Sequence, residues 1–253
     1  MKTLGIIPAR YGSTRFPGKP LADILGKSMI QRVVDQARKS KQLDEVVVAT
    51  DDTRIEHHVK AFGGNAIMTS DQHPSGTDRC REVLHHFEKV DVVVNIQGDE
   101  PLIPPEQIDT LVQCFQSQDT QIATLVKPIR SEEILRDVNK PKVLLNQKQE
   151  AIYFSRTPLP HLKDVPQGEW LKHHAYWQHI GIYAYRSQAL KTITQLAPSS
   201  FEEAESLEQL RWIQSGFKVR VATTEHTSFP VDTPQDLQRV VDYLNQAKPE
   251  HGH

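Results

Sequence analysis

Val92-Val93-Val94-Asn95-Ile96 constrains the fold more than any other stretch of this 253-residue chain. The run is apolar without alternation, which suits a strand covered on both faces rather than one with a wet side. Leu4 to Ile7 is a second such run. Around them the first half alternates strand and helix. Strands are read at Thr3–Ile7, Glu45–Ala49, Asn65–Met68 and Val90–Ile96, and helices near Ser28–Lys39, Arg54–Phe62, Thr77–Phe87 and Pro105–Gln116. In the first helix Ile30, Val33, Val34 and Ala37 share a face. This β-α-β rhythm predicts an α/β fold with a doubly wound, mostly parallel sheet, whose ligands sit beyond the strand carboxyl ends.

From Gln121 the rhythm changes. Ile122–Val126, Lys142–Leu145, Ile152–Phe154 and Ile180–Tyr185 read as strands, divided by a polar loop holding Pro158, Pro160, Pro166 and Gly168. The expectation is a small mixed-sheet excursion at about 121–186 that covers an active site or forms a dimer interface. Helices resume at Ser187–Leu196 and Glu202–Gln214. A strand at Lys218–Thr223 precedes a last helix from Pro234 to about Ala247, with the tail His251-Gly252-His253 expected to fray. With no repeat or low-complexity linker, the chain is read as one domain, 1–253.

A balance of 30 basic against 32 acidic side chains gives a formal charge of −2, so no global field favours nucleic acid. Cys80 and Cys114 match no metal or redox spacing, which fits a reducing compartment. No apolar run approaches the roughly 20 residues of a membrane helix, and the early strand leaves no room for a signal peptide. These features predict a soluble cytoplasmic protein without a membrane partner.

Basic character is local. Beyond the first strand, Pro8-Ala9-Arg10-Tyr11-Gly12-Ser13-Thr14-Arg15-Phe16-Pro17-Gly18-Lys19-Pro20 carries Arg10, Arg15 and Lys19, with no acid before Asp23. Gly12 and Gly18 permit unusual turns, and Pro17 and Pro20 stiffen the loop. A strand emptying into a rigid cationic loop suits a polyphosphate; the plain alternative is a solvated basic loop. It is not a P-loop. Five residues separate Gly12 from Gly18, and Pro20 stands where that motif needs a hydroxyl. The dinucleotide fingerprint G-x-G-x-x-G is absent as well.

Two carboxylates stand out further on. Asp99, in Gln97-Gly98-Asp99-Glu100-Pro101, ends the buried strand and suits Mg²⁺, which prefers carboxylate and phosphate oxygens; the alternative is a turn residue capping the next helix. Strand geometry turns Glu100 the other way. In Pro230-Val231-Asp232-Thr233-Pro234-Gln235-Asp236, Thr233 is a good N-cap, Pro234 suits the first helical position and Asp236 favours the helix dipole. That leaves Asp232 without a structural duty. The adjacent pairs His57-His58, His85-His86 and His173-His174 do not face one another on a helix and are read as solvated. His73 is left without a role.

The Thr14-Arg15-Phe16-Pro17-Gly18-Lys19-Pro20 run resembles the signature loop of the sugar-activating cytidylyltransferases, in particular the 3-deoxy-manno-octulosonate (Kdo) cytidylyltransferase family. Loops of the sialic acid branch have a different spacing after the first arginine. The later motifs extend the resemblance along nearly the whole chain. It implies a nucleotidyltransferase, Rossmann-like fold, CTP and Kdo as substrates, Mg²⁺ as cofactor and a homodimer. It also implies that Pro8, Ala9, Arg10, Ser13, Arg15, Lys19, Ser75, Arg79 and Gln97 contact the nucleotide, with Arg10, Arg15, Lys19 and Asp99 catalytic. Asp99 and Asp232 become the metal carboxylates, and Gln97 also lies beside the sugar.

In Ser75-Gly76-Thr77-Asp78-Arg79, Ser75 and Arg79 become readers of the cytosine base; the alternative is a helix cap with Arg79 in a surface ion pair. Arg156, after Tyr153-Phe154-Ser155, offers a guanidinium fork for the sugar's carboxylate. His179, Gly181, Tyr183 and Tyr185 share one strand face, and the resemblance assigns His179 and Tyr183 to the sugar; for Tyr185 a core position is an equal alternative. Glu205 and Gln209, four apart on one expected helix, complete the sugar set. The implied activity is cytidylyl transfer from CTP to Kdo for lipopolysaccharide synthesis. The alternatives are a cytidylyltransferase for 8-amino-Kdo or sialic acid, and a non-catalytic nucleotide-binding regulatory module.

Overall fold

The computed structural model describes residues 1–12 and 15–246. Eleven strands and ten α-helices follow one another among them. They are β1 (Thr3–Ala9), β2 (Asp23–Ile24), β3 (Lys27–Ser28), α1 (Met29–Ala37), β4 (Glu45–Thr50), α2 (Thr53–Ala61), β5 (Asn65–Met68), α3 (Gly76–Leu84), β6 (Val92–Asn95) and α4 (Pro105–Gln113). Then come β7 (Ile122–Pro128), α5 (Glu132–Arg136), β8 (Lys142–Leu145), β9 (Ala151–Ser155), α6 (Trp170–His173), β10 (Trp177–Arg186), α7 (Ser187–Ile193), α8 (Ser200–Glu205), α9 (Gln209–Gln214), β11 (Val219–Thr223) and α10 (Pro234–Gln246). The chain falls into two compact units, one of Lys2–Val90, Asn95–Glu106 and the segment from Thr227, the other of Asp91–Val94 and Gln107–His226 with Met1.

In the unit that begins at Lys2, β1, β4 and β5 lie side by side and all parallel, with Leu4 opposite Glu45 and Ala9 opposite Thr50. β1 is buried along its length apart from Pro8, as a run without alternation requires. Each helix of this unit starts at a side-chain cap. Ser28 accepts from the Gln31 amide, Asp52 from Arg54 and Ser75 from Asp78, satisfying donors that the first turn leaves open. The buried face of α1 carries Met29, Ile30, Val33, Val34 and Ala37. Met29 also joins Ile24, Val231 and Val240 in a cluster that covers one side of α10, with Phe16, Leu102 and Leu237 against it. Burying such side chains is worth about 1.5–3 kcal/mol each.

In the other unit the strand order is β11-β7-β10-β6. β11 runs parallel to β7, β10 antiparallel to it, and β8 and β9 continue the antiparallel pattern from β10. This is the mixed-sheet excursion expected at 121–186. Opposite β7, β10 takes three steps from Ile180 to Tyr183 where β7 takes one, from Leu125 to Thr124. The Thr124 hydroxyl donates into this bulge, to the Ile180 carbonyl at 3.2 Å and the Ile182 carbonyl at 2.8 Å. A smaller cluster of Ile129, Leu135, Trp170 and Tyr176 lies beneath the proline-rich loop.

The expected α/β class with a mostly parallel sheet is what the structure has, and Asn65–Met68 and Lys142–Leu145 keep the bounds read from sequence. β2, β3, α5 and α6 have no counterpart among the expected elements, and several of the expected ones differ in extent. The helix expected over Glu202–Gln214 is two helices, α8 and α9, because Ser206 adopts a left-handed conformation (φ 51°). β10 begins at Trp177, three residues early, and Cys114–Gln116 tightens into a 3-10 turn after α4. Ala247, the His tail and Ser13 lie outside the described residues.

Candidate active site

The unit that begins at Lys2 gathers the cationic loop and both acidic motifs. Gly18 has φ 71°, and its amide donates to the Tyr11 carbonyl at 3.0 Å, closing the loop on itself. A Cβ at Gly18 would sit 3.2 Å from the Tyr11 ring, so this position needs glycine for conformation and for space. Gly12, expected to make a second unusual turn, is not among the glycines of positive φ. Beyond Gly18 a single 3-10 turn, Lys19–Leu21, aims Lys19 inward.

Lys19 is the centre of the arrangement. Its Nζ donates to Asp99 Oδ2 at 2.8 Å and to the Val231 carbonyl at 2.8 Å, and lies 3.6 Å from Asp232 Oδ1. Arg15 Nη2 reaches the same Asp232 oxygen at 3.1 Å. The Val231 amide donates to the Asp99 carbonyl at 2.9 Å, tying the two acidic loops together through their backbones. Gly98 allows this convergence, since a Cβ there would come within 2.6 Å of the Pro8 carbonyl oxygen. Thr233 and Asp236 cap α10 reciprocally, with Asp236 Oδ2 accepting from the Thr233 amide at 2.9 Å. Asp232 is thus left to the cationic loop. Pro8 and Ala9 end β1 at the root of that loop, and Gln97 is half-buried one residue before Gly98.

The two carboxylates fit a small hard cation. A single ammonium already bridges them, and among the described residues no group of three or more His, Cys, Asp or Glu is placed to hold a metal. A site of two carboxylates completed by substrate oxygens is the type Mg²⁺ uses. Glu100 faces elsewhere. Burial, with Asp99 adding repulsion, pushes its carboxyl up to about 7.

The pair expected to read the base is tied into the fold. Ser75 caps α3 and its hydroxyl donates to Asp78 Oδ2 at 2.7 Å. Arg79 is fully buried, pairing with Asp51 at 2.8 Å and donating to the Thr69 hydroxyl. The ion-pair alternative therefore describes Arg79, with the pair buried rather than on the surface. Sequence reading also passed over Arg54. Its guanidinium, held by Asp52 at 2.9 and 2.6 Å, stacks 3.3 Å from the Tyr11 ring centre and braces the cationic loop. An exposed arginine on α2 carries no sequence signal of that contact.

Apart from Gln97, the residues expected to take the sugar lie in the other unit. Glu205 and Gln209 do not share a helix face, because Ser206 ends α8 between them. The Glu205 carboxylate instead accepts from the Ser155 hydroxyl at 2.7 Å and the Arg156 amide at 2.9 Å. Arg156 covers the break, donating from Nε to the Glu205 carbonyl at 2.6 Å, from Nη2 to the Ser206 carbonyl at 3.2 Å and from Nη1 to the Val138 carbonyl at 3.0 Å. Its guanidinium is therefore a helix C-cap as well as a candidate fork, and three of its five N–H groups are engaged.

His179, Tyr183 and Tyr185 do share a face. Ring centres are 5.3 Å apart for the first pair and 6.1 Å for the second, with Trp212 edge-on to both tyrosines. Tyr185 is fully buried, which gives it the core position of the two open for it. Burial lowers His179 to about 3 and raises Tyr183 well above its ordinary value, so both are neutral hydrogen-bonding groups at pH 7. His179 Nε2 is 3.1 Å from the Thr124 hydroxyl. Gln209 is buried, and its Nε2 donates to nothing among the described residues. An orphan amide donor of this kind suits a ligand hydroxyl. Lys142, which no motif marked, is fully buried and donates to the carbonyls of Asp137 and Lys140 at 2.9 and 3.0 Å.

Comparison with known proteins places these features in a family. The sequence profile described as cytidylyltransferase matches residues 4–223. A 3-deoxy-manno-octulosonate cytidylyltransferase of Parabacteroides distasonis is 57% identical over 249 residues, covering 96% of this chain and 98% of that protein. One from Escherichia coli is 46% identical over 240 residues, 94% of each chain. A CMP:2-keto-3-deoxy-manno-octonic acid synthetase, solved in complex with CTP, superposes with a TM-score of 0.91 at 44% identity, covering 98% of this chain and 100% of the other. The chain belongs to the 3-deoxy-manno-octulosonate cytidylyltransferase family of cytidylyltransferases.

Proposed function

We propose that the chain transfers a cytidylyl group from CTP to Kdo, releasing pyrophosphate and giving CMP-Kdo, the activated sugar for lipopolysaccharide synthesis. The observation that carries this reading is the Lys19 ammonium set between Asp99 and Asp232 at the mouth of an arginine-bearing loop. The names of close relatives point the same way.

In the proposed reaction the sugar's anomeric hydroxyl attacks the α-phosphorus in line, and negative charge grows on the departing pyrophosphate. Arg10, Arg15 and Lys19 neutralise that charge, and most of the rate comes from this and from orienting the reactants. Asp99 and Asp232 would hold Mg²⁺, which when bound supplies charge neutralisation at the α-phosphate and acidifies the attacking hydroxyl. Lys19 would meet the phosphates from the same loop. No side chain stands out as a dedicated base. Arg156 offers its remaining N–H groups to the sugar carboxylate and Gln209 its free amide to a hydroxyl, and His179, Tyr183 and Glu205 are the other residues read as meeting the sugar. The mixed-sheet excursion at 121–186 serves sugar binding and a homodimer, and the enzyme works in the cytoplasm. Among the described residues no helix is long and apolar enough to cross a membrane.

The test is pyrophosphate release with CTP, Mg²⁺ and a panel of acid sugars, each component omitted in turn. The reading expects release only when CTP and Kdo are both present. Equal turnover with another nucleotide, or none with Kdo, overturns it.

A further inference from the structure

His73, to which the sequence motifs give no role, sits at a junction. Its ring Nε2 contacts Glu82 Oε2, and the same carboxylate oxygen accepts from the Ser70 amide at 3.0 Å. Its carbonyl accepts from Arg10 Nη2 at 2.5 Å. Glu82 lies on α3 two turns beyond the Ser75 cap, a spacing that puts both on one face of the helix. The segment from Ser70 to Ser75 is therefore strapped along the helix it leads into, fastened by Ser75 at one end and Glu82 at the other. Burial works against the Glu82 charge, but the His73 and Ser70 hydrogen bonds outweigh it and hold the carboxyl below its ordinary value. Arg10 itself is exposed, and among the described residues this carbonyl is where its guanidinium is fastened.

We propose that Glu82 and His73 are positioning residues that act through Arg10. The carboxylate orients the imidazole, the imidazole fixes the loop, and the loop's carbonyl aims the guanidinium at the nucleotide's phosphates. This rests on the reading of Arg10 as a phosphate cation. Electrostatic help at a leaving group depends on a donor held in place beforehand, and a shift of about 1 Å can cost about 100-fold. The strap supplies that hold without touching substrate.

A double-mutant cycle tests it. His73→Ala and Glu82→Ala should each lower kcat by about 10- to 100-fold, with the sugar KM little changed. His73→Gln, whose amide nitrogen falls near the place of Nε2, should recover most of the loss. In an Arg10→Ala background neither change should lower kcat further. An undiminished effect of Glu82→Ala in that background overturns the proposal, because the pair would then act on something other than Arg10. Should Glu82→Ala not fold, Glu82→Gln takes its place in the same cycle. A wild-type kcat for Arg10→Ala alone would remove the parent reading instead. The strap is judged separately, by hydrogen exchange of the Ser70 amide, which should quicken in every variant that breaks the Glu82 contact; unchanged exchange counts against the strap.

Discussion

Lys19 makes three contacts with one ammonium, and two of its partners are the carboxylates assigned to the metal. Changing it and changing those acids should therefore read out differently. Asp99→Asn and Asp232→Asn are each expected to abolish most turnover with the fold intact, and the double variant should be little worse than either, because the two act as a unit. Near-normal turnover of Asp232→Asn at saturating Mg²⁺ would return Asp232 to a helix-start role. Arg15→Ala and Lys19→Ala should lower kcat more than they raise the sugar KM, since leaving-group charge is felt in the transition state. A change confined to the sugar KM would mean the loop serves the sugar. Arg15→Ala should lose little stability through its ion pair, because the Arg15–Asp232 contact is exposed and such pairs are worth at most about 1 kcal/mol.

At the scale of elements, most of the fold was legible, and the exceptions share a cause. Helix starts at Ser75 and Thr233 came from local chemistry, a capping oxygen followed by a helical run, and the structure has them. The break between α8 and α9 was not legible, because nothing near Ser206 is glycine or proline. What holds it is Arg156, fifty positions away, whose guanidinium satisfies the Glu205 and Ser206 carbonyls. The burial of Arg79 was hidden for the same reason, since its partners Asp51 and Thr69 lie on other elements. Arg156 consequently carries two expectations. Arg156→Ala should destabilise the protein by about 2 kcal/mol through lost charge-assisted hydrogen bonds. It should also weaken acid-sugar binding by about 2–5 kcal/mol while sparing CTP. Arg156→Lys keeps charge without the fork and should fall between. Thermal melts and the two KM values separate these effects, and normal sugar binding by the alanine variant would place the carboxylate elsewhere.

For the whole molecule, a response to acid follows from His179. Its folded pKa of about 3 lies below the ordinary 6.5, so between those values the unfolded chain holds a proton that the native chain refuses. Stability must then fall as pH drops from about 6.5 towards 3, by up to about 1.4 kcal/mol per pH unit. His179→Gln removes that slope. Denaturant melts of both proteins at pH 8 and pH 5 should show the wild type losing more, and equal losses would mean His179 is protonated in the fold. The strand that carries His179 could be found in the sequence, but its bulge could not, because the two residues in excess are matched to a partner strand more than fifty positions earlier. That excess is even, which has a consequence for length variation. Side chains alternate with period two, so Gly181 and Ile182 can both be lost and His179 and Tyr183 still look the same way. Loss of one alone leaves an odd remainder, and β10 must then either kink around a single extra residue or turn Tyr183 to the opposite side of the sheet. Chains of this family should differ in length here by pairs of residues.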